Sequence, residues 1–173
     1  MPGPYRIEVL GSHGRADFSC SAEPLDRYFR EQATQDVRRR ATACYVAVDI
    51  GANRVAGYHT LSAGGIPLND MPAALAKRLP RYPSVPVARL GHLAVDQAHR
   101  GRKLGAALLW DAAMRAARSE VAVFALVVDA KDAQAEAFYR HHGFVVFGSE
   151  SRKLILSLAN ISSRTDLSEP PPS

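Results

Sequence analysis

Apolar and polar residues alternate through "YRIEVL", Tyr5 to Leu10, which predicts a first strand broken by Gly11 to Gly14. The period then changes. In "PLDRYFREQATQDVRRR", Leu25, Tyr28, Phe29 and Gln32 recur at helical spacing behind Pro24, a residue suited to a helix's first turn. That pattern predicts a helix to about Arg40, with a break near Thr34. "ATACYVAVD" and "RVAGYHTLS" predict two strands joined by the turn-rich "IGAN". Ile66 to Ser84 is proline-rich and irregular, with a short helix expected at Pro72–Arg78. "VPVARLGHLAVD" predicts the next strand, and "KLGAALLWDAAMRAARS", rich in Ala and Leu, a long helix. On it Leu104, Leu108, Asp111 with Ala112, and Arg115 trace one line.

"VAVFALVVDA", Val121 to Ala130, is a continuous apolar run, the pattern of a strand buried on both faces beside a parallel neighbour. "DAQAEAFYRHHGF" reads as a helix with Asp132 as N-cap and Gly143 just past its end. "FVVFG" and "RKLILSLA" predict a closing strand pair. The order is β-α-β-β-β-α-β-α-β-β, an α/β mixed sheet flanked by helices. One domain is expected over 1–160, and a disordered, Pro-rich tail over 161–173, in "SSRTDLSEPPPS".

Composition adds little to this picture. The chain has 173 residues, 47% of them hydrophobic, enough for a core without covalent staples. Its two cysteines, Cys20 and Cys44, form no CxxC pair and lie in no metal-ligand spacing, so a reduced, cytoplasmic protein without a metal is expected, with a single disulfide as the alternative. No apolar run approaches the roughly 18 residues of a membrane span, and none at the N-terminus resembles a signal peptide. A net charge of +5 favours anionic partners, nucleic acid and phosphorylated cofactors among them, though a merely soluble basic surface fits it equally.

Charge matters more in one place. "AHRGRKLGAAL", Ala98 to Leu108, carries a predicted strand into a predicted helix through a basic, glycine-bearing turn. A helix N-terminus has unpaired N–H groups and the positive end of the dipole, and both attract phosphate. Gly101 and Gly105 permit close backbone approach, and Arg100, Arg102 and Lys103 add positive charge at the same point. Neither GxxxxGK[ST] nor GxGxxG is present. Alone, the loop reads equally well as a pyrophosphate site or as a basic surface turn.

The segment resembles the acetyl-CoA loop of the GNAT acetyltransferases, Arg/Gln-x-x-Gly-x-Gly/Ala, here Arg100-Gly101-Arg102-Lys103-Leu104-Gly105. Lys103 stands at the middle glycine. "LGHLAVD" resembles the strand before that loop, and Asp132, Ala135, Tyr139 and Gly143-Phe144 resemble the family's Asn-x-x-Ala-x-x-x-Tyr-x-x-x-Gly-Phe helix, with Asp132 replacing Asn. The likeness spans Val87 to Phe147 in order and spacing. It implies a GNAT-like fold with splayed parallel strands and acetyl-CoA as acetyl donor. It also implies cofactor contacts from Leu93, Ala94 and Val95 on the strand, from the six loop residues, and from Asp132, Ala135 and Phe138. Tyr139 becomes the general acid for the leaving thiolate; without the likeness it is more simply a core aromatic beside Phe138. Lys103 is expected to lie already in the helix, where a lysine is unstrained.

The acceptor side holds no obvious general base. The histidines are scattered; His141 and His142 read as surface residues, and His92 as a packed one. A base is dispensable for an α-amino group, whose pKa of about 7.7–8.0 leaves it partly neutral, unlike lysine at about 10.4. The flanks, notably "LDRYFREQATQD" and "KRLPRYP", resemble the GNAT branch of bacterial toxins that acetylate the α-amino group of aminoacyl-tRNA. That likeness implies an aminoacyl-tRNA substrate, a ribbon-helix-helix antitoxin as partner and a homodimer. Arg38, Arg39, Arg40, Lys77, Arg78, Arg81 and Arg89 then become phosphate contacts, although each serves as well on a solvated face. A GNAT acting on a small amine or a protein N-terminus, and a non-enzymatic acyl-CoA or nucleic-acid binding module, remain alternatives. The basic Ile66–Ser84 loop, with only Asp70 as an acid, weighs against a site for a small cationic amine.

Overall fold

The computed structural model describes residues 4–162. The tail expected to be disordered lies almost wholly outside them. Seven strands form one sheet in the order β1-β2-β3-β4-β5-β7-β6. In chain order they are β1 (Tyr5–Val9), β2 (Ala43–Asp49), β3 (Arg54–Pro67), β4 (Ser84–Val95), β5 (Ala125–Asp129), β6 (Val145–Val146) and β7 (Lys153–Ser157). The helices are α1 (Glu23–Arg27), α2 (Ala33–Arg38), α3 (Ala73–Ala76), α4 (Leu104–Ala117), α5 (Ala133–His141) and α6 (Ala159–Ser162). β4 and β5 are parallel; β1 and β2, β2 and β3, β5 and β7, and β6 and β7 are antiparallel. The expected mixed sheet with a parallel pair is present. The described residues divide into two compact units.

The first unit comprises residues 4–62 and 91–112. One face of its strands packs on Phe18, Phe29, Ala33 and Tyr58, the last two being fully buried with Phe29. The other face packs Ala47 and Ala56 against Leu104 and Leu108 of α4. Gly57 allows this approach: a Cβ there would lie 2.8 Å from Leu108 Cδ1 and 2.9 Å from the Ala94 carbonyl oxygen. Between α1 and α2 the helix widens into a π turn at Tyr28–Gln32, one turn before the predicted break. Such turns re-aim side chains, and they concentrate at functional sites.

The second unit comprises residues 63–90 and 113–162. Its core joins Ile66, Met71, Val85 and Val87 to Ala125, Val127, Phe147 and Ile155. β5 is buried at four of its five positions, as a strand between two neighbours must be. It starts later than its apolar run because Val121 is 75% exposed and belongs to the preceding loop. β3 runs past its expected end through Gly64 and Gly65; a Cβ on Gly65 would meet Ser84 Oγ at 2.6 Å. No helix among the described residues is long and apolar enough to cross a membrane.

Candidate active site

The parallel ladder pairs Val87–Leu90 of β4 with Ala125–Val128 of β5, and β4 continues beyond it through Gly91 to Val95. In that extension Leu93 and Val95 turn their side chains toward the Leu104 and Leu108 cluster, while Ala94 joins the opposite core. Leu93 and Val95 remain half-buried.

The chain then enters the basic loop, which is strapped to the segment before α1. Buried Asp96 accepts from Ala98 N–H at 2.9 Å and from Ser19 N–H at 3.0 Å. Gln97 N–H donates to the Ser19 carbonyl at 2.9 Å. The Arg100 guanidinium donates to the Cys20 carbonyl at 2.5 Å and to Ser21 Oγ at 2.6 Å. The residue stays exposed, with its guanidinium engaged by the Cys20–Ser21 segment. Arg102 leans toward the Tyr5 hydroxyl at 3.4 Å, and that hydroxyl is 2.9 Å from His99 Nδ1. Lys103 is exposed.

Backbone conformation corrects one expectation. Lys103 is not in the helix: its φ is +61°, and Gly101 has φ +78°. Alternation of left-handed residues with an ordinary one curls successive N–H groups into a concavity suited to an anion. The first helical bond of α4 runs from Ala107 N–H to the Lys103 carbonyl, so Leu104, Gly105 and Ala106 N–H have no partner within the helix. Space is open around Gly101, with nothing within 4 Å of where its Cβ would stand. A pyrophosphate fits this arrangement of donors. The physical reason for the strained lysine is the strap: Asp96 and Arg100 fix the path of the chain into α4, and residue 103 must take the conformation that path requires.

In the second unit Asp132 caps α5 as expected, accepting from Ala135 N–H at 2.8 Å. The Lys131 ammonium, 2.8 Å from Asp132 Oδ2, holds that carboxyl below its usual range. Gly143 follows the helix end at φ +96°. The two ends fix Tyr139, 7% exposed, between the rings of Phe138 at 5.3 Å and Phe144 at 5.4 Å, both edge-on. Burial pushes its phenol up, so it is protonated at neutral pH and able to donate. His142 is half-buried rather than on the surface, edge-on to Phe138 at 4.8 Å, and its Nδ1 has no partner.

The basic residues remain on the surface. Arg38, Arg39 and Arg40 are exposed in the first unit, and Lys77, Arg78 and Arg81 in the second. Arg89 is half-buried, 3.9 Å from Asp129, and Arg78 donates to Ser157 Oγ at 3.2 Å. Cys20 and Cys44 are free and buried; burial pushes their thiols up to about 11 and about 12, so neither is nucleophilic.

Two arrangements were not foreseen. His59, fully buried on β3, sits 2.8 Å from Asp111 of α4. The signal was an acid on the apolar line of α4. The second is the set of Tyr28, Asp36, Thr60 and His92. Tyr28 stacks on His92 with ring centroids 3.7 Å apart and planes 12° from parallel. The Tyr28 hydroxyl donates to Asp36 Oδ2 at 2.9 Å, and Thr60 Oγ1 lies 2.9 Å from His92 Nδ1.

A family model described as the acetyltransferase (GNAT) family matches residues 12–144. Among curated proteins, a tRNA-acetylating toxin of Mycobacterium tuberculosis is 33% identical over 141 residues, covering 80% of this chain and 82% of the relative. Among solved structures, a tyrosine-to-phenylalanine mutant of KacT is similar with a TM-score of 0.82 at 26% identity, over 91% of this chain and 96% of that one. AtaT complexed with acetyl-methionyl-tRNAfMet is similar at a TM-score of 0.78 and 24% identity, over 91% and 96% of the two chains. A mutant AtaT bound to acetyl-CoA and the C-terminus of the antitoxin AtaR gives 0.77 at 22% identity, over 92% and 96%.

Proposed function

The chain belongs to the acetyltransferase (GNAT) family, and from that premise we propose that it is a toxin that transfers the acetyl group of acetyl-CoA to the α-amino group of an aminoacyl-tRNA, so blocking translation. One observation carries the reading: the likeness, across four-fifths of the chain, to a protein that acetylates tRNA. The exposed arginines and lysine on α2 and the α3 loop support it, since a polyanion needs such a surface.

Acetyl-CoA, the donor substrate, supplies an acetyl group activated as a thioester. The N–H groups of the 101–106 turn hold its pyrophosphate, and Lys103 adds a charge-assisted contact. Backbone groups of Leu93 and Val95 receive the pantetheine arm, and an N–H near Val95 polarises the carbonyl. Asp132, Ala135 and Phe138 support the donor side of α5; because Ala135 N–H already bonds Asp132, that residue contributes its side-chain surface. Tyr139 gives its phenolic proton to the leaving sulfur. The aminoacyl amine, more acidic than a lysine, reaches the site partly neutral.

The partner in this reading is a ribbon-helix-helix antitoxin whose C-terminal segment covers the toxin, and the toxin is a homodimer. The AtaT complex with the AtaR C-terminus supports an antitoxin partner that binds through its C-terminal segment. Tyr139→Phe tests the catalytic assignment. It should bind acetyl-CoA normally in a calorimetric titration, lose about 10²–10⁴-fold in turnover, and no longer arrest growth when expressed. Unaltered turnover would remove Tyr139 from the mechanism.

A further inference from the structure

When the new N–C bond forms and the C–S bond breaks, the attacking amine must shed one proton. We propose that His92 Nε2 accepts it, making His92 a catalytic residue on the acceptor side. This rests on the aminoacyl-tRNA reading above. β4 places the residue. Leu93 to Val95 is the stretch assigned to the pantetheine arm, and His92 is the next residue along the strand. Side chains alternate across a strand, so with Leu93 and Val95 turned toward α4, His92 turns toward Tyr28, Tyr58 and Thr60.

The ring is held for this task on two sides. Thr60, 1% exposed, presents Oγ1 at 2.9 Å to Nδ1. Assigning the Nδ1–H tautomer, which donates to that oxygen, leaves the lone pair on Nε2. Tyr28 covers one face at 3.7 Å, and its own hydroxyl is fixed by Asp36. Tyr28 is the first residue of the π turn at Tyr28–Gln32. Other titratable groups on the elements packed here are Tyr28 itself, Asp36 from α2, Tyr58 from β3 at 6.4 Å and Cys44 from β2. Burial pushes both phenols and the thiol up, and among the described residues the charge that acts on His92 is that of Asp36. Burial also holds His92 below its ordinary value, against the opposing influence of Asp36, so the ring is neutral and proton-accepting at pH 7. After transfer Asp36 favours the imidazolium, which returns its proton to solvent. The sulfur is protonated separately, by Tyr139.

The test is the pH dependence of single-turnover acetyl transfer to a charged tRNA between about pH 4.5 and 8 in wild type and His92→Gln. Glutamine retains a polar group for Thr60. Melting and acetyl-CoA titration report whether the variant is folded. In the wild type, acid protonates first the amine and then His92, so the logarithm of rate steepens from a slope of one toward two. His92→Gln should lose about 10²-fold on the plateau and keep a slope of one throughout. An unchanged plateau, or a lowered curve that still steepens, overturns the inference, because a ring that only packs scales the rate without altering the titration. If the wild type transfers nothing to charged tRNA at any pH, the substrate reading fails, and this inference with it.

Discussion

Lys103→Gly separates what the backbone of the cofactor loop requires from what the lysine side chain contributes. A non-glycine residue at φ +61° carries a penalty of about 1–2 kcal/mol. Glycine removes that penalty but loses more chain entropy on folding, by about 0.5–1 kcal/mol. The net expectation is a stabilisation of about 0.5–1 kcal/mol. For a chain of 173 residues each kcal/mol moves the melting temperature by about 2–4 °C. Lys103→Gly should therefore melt about 1–4 °C above wild type. Lys103→Ala retains the strain and should melt within about 1 °C of wild type, by the same conversion. Both variants lose the exposed ammonium, a contact worth about 0.2–1 kcal/mol, so acetyl-CoA should bind about 1.5–5-fold more weakly to each. Differential scanning calorimetry and isothermal titration read the two effects independently. A glycine variant melting at or below the alanine variant would refute the strained-lysine account.

Two further substitutions address the ligand surfaces. Gly105→Asp places a carboxylate in the first turn of α4, where the helix dipole tolerates it but a pyrophosphate does not; melting should change little while acetyl-CoA titration shows near-complete loss of binding. Reversing charge at Arg78 and Arg81 should leave acetyl-CoA affinity intact, weaken tRNA modification and lower the log–log salt slope by about 1–2; activity that persists at raised salt would make that patch decorative.

Most of the strand order was legible because it rests on local rules. Alternation marks β1, continuous apolarity marks β5, and the Asp132 cap and Gly143 stop bound α5. Where prediction failed, a distant contact had overruled a local preference. Lys103 has good helix propensity and lies outside the helix, because Ser19, Cys20 and Ser21 hold the preceding residues. The pattern of β3 was expected to end at Ser62, but the strand continues through Gly64 and Gly65, and at Gly65 a side chain would collide with Ser84 Oγ. The Arg100 guanidinium, expected at a phosphate, finds partners 79 and 80 residues earlier in the chain. His92 was expected to pack, which it does, and the tyrosine it stacks on lies far from it in the chain. The His59–Asp111 pair joins residues 52 apart, beyond any periodicity.

Acetyl transfer to aminoacyl-tRNA is the central claim, and it is testable in one reaction. The protein is incubated with isotope-labelled acetyl-CoA and total charged tRNA, the RNA is digested with nuclease, and the terminal aminoacyl-adenosines are identified by mass spectrometry. Label on the α-nitrogen of one or a few aminoacyl-adenosines, absent with Tyr139→Phe and absent with uncharged tRNA, is the predicted result. Label that appears only on a small amine or a protein N-terminus, with charged tRNA unmodified, would contradict the account.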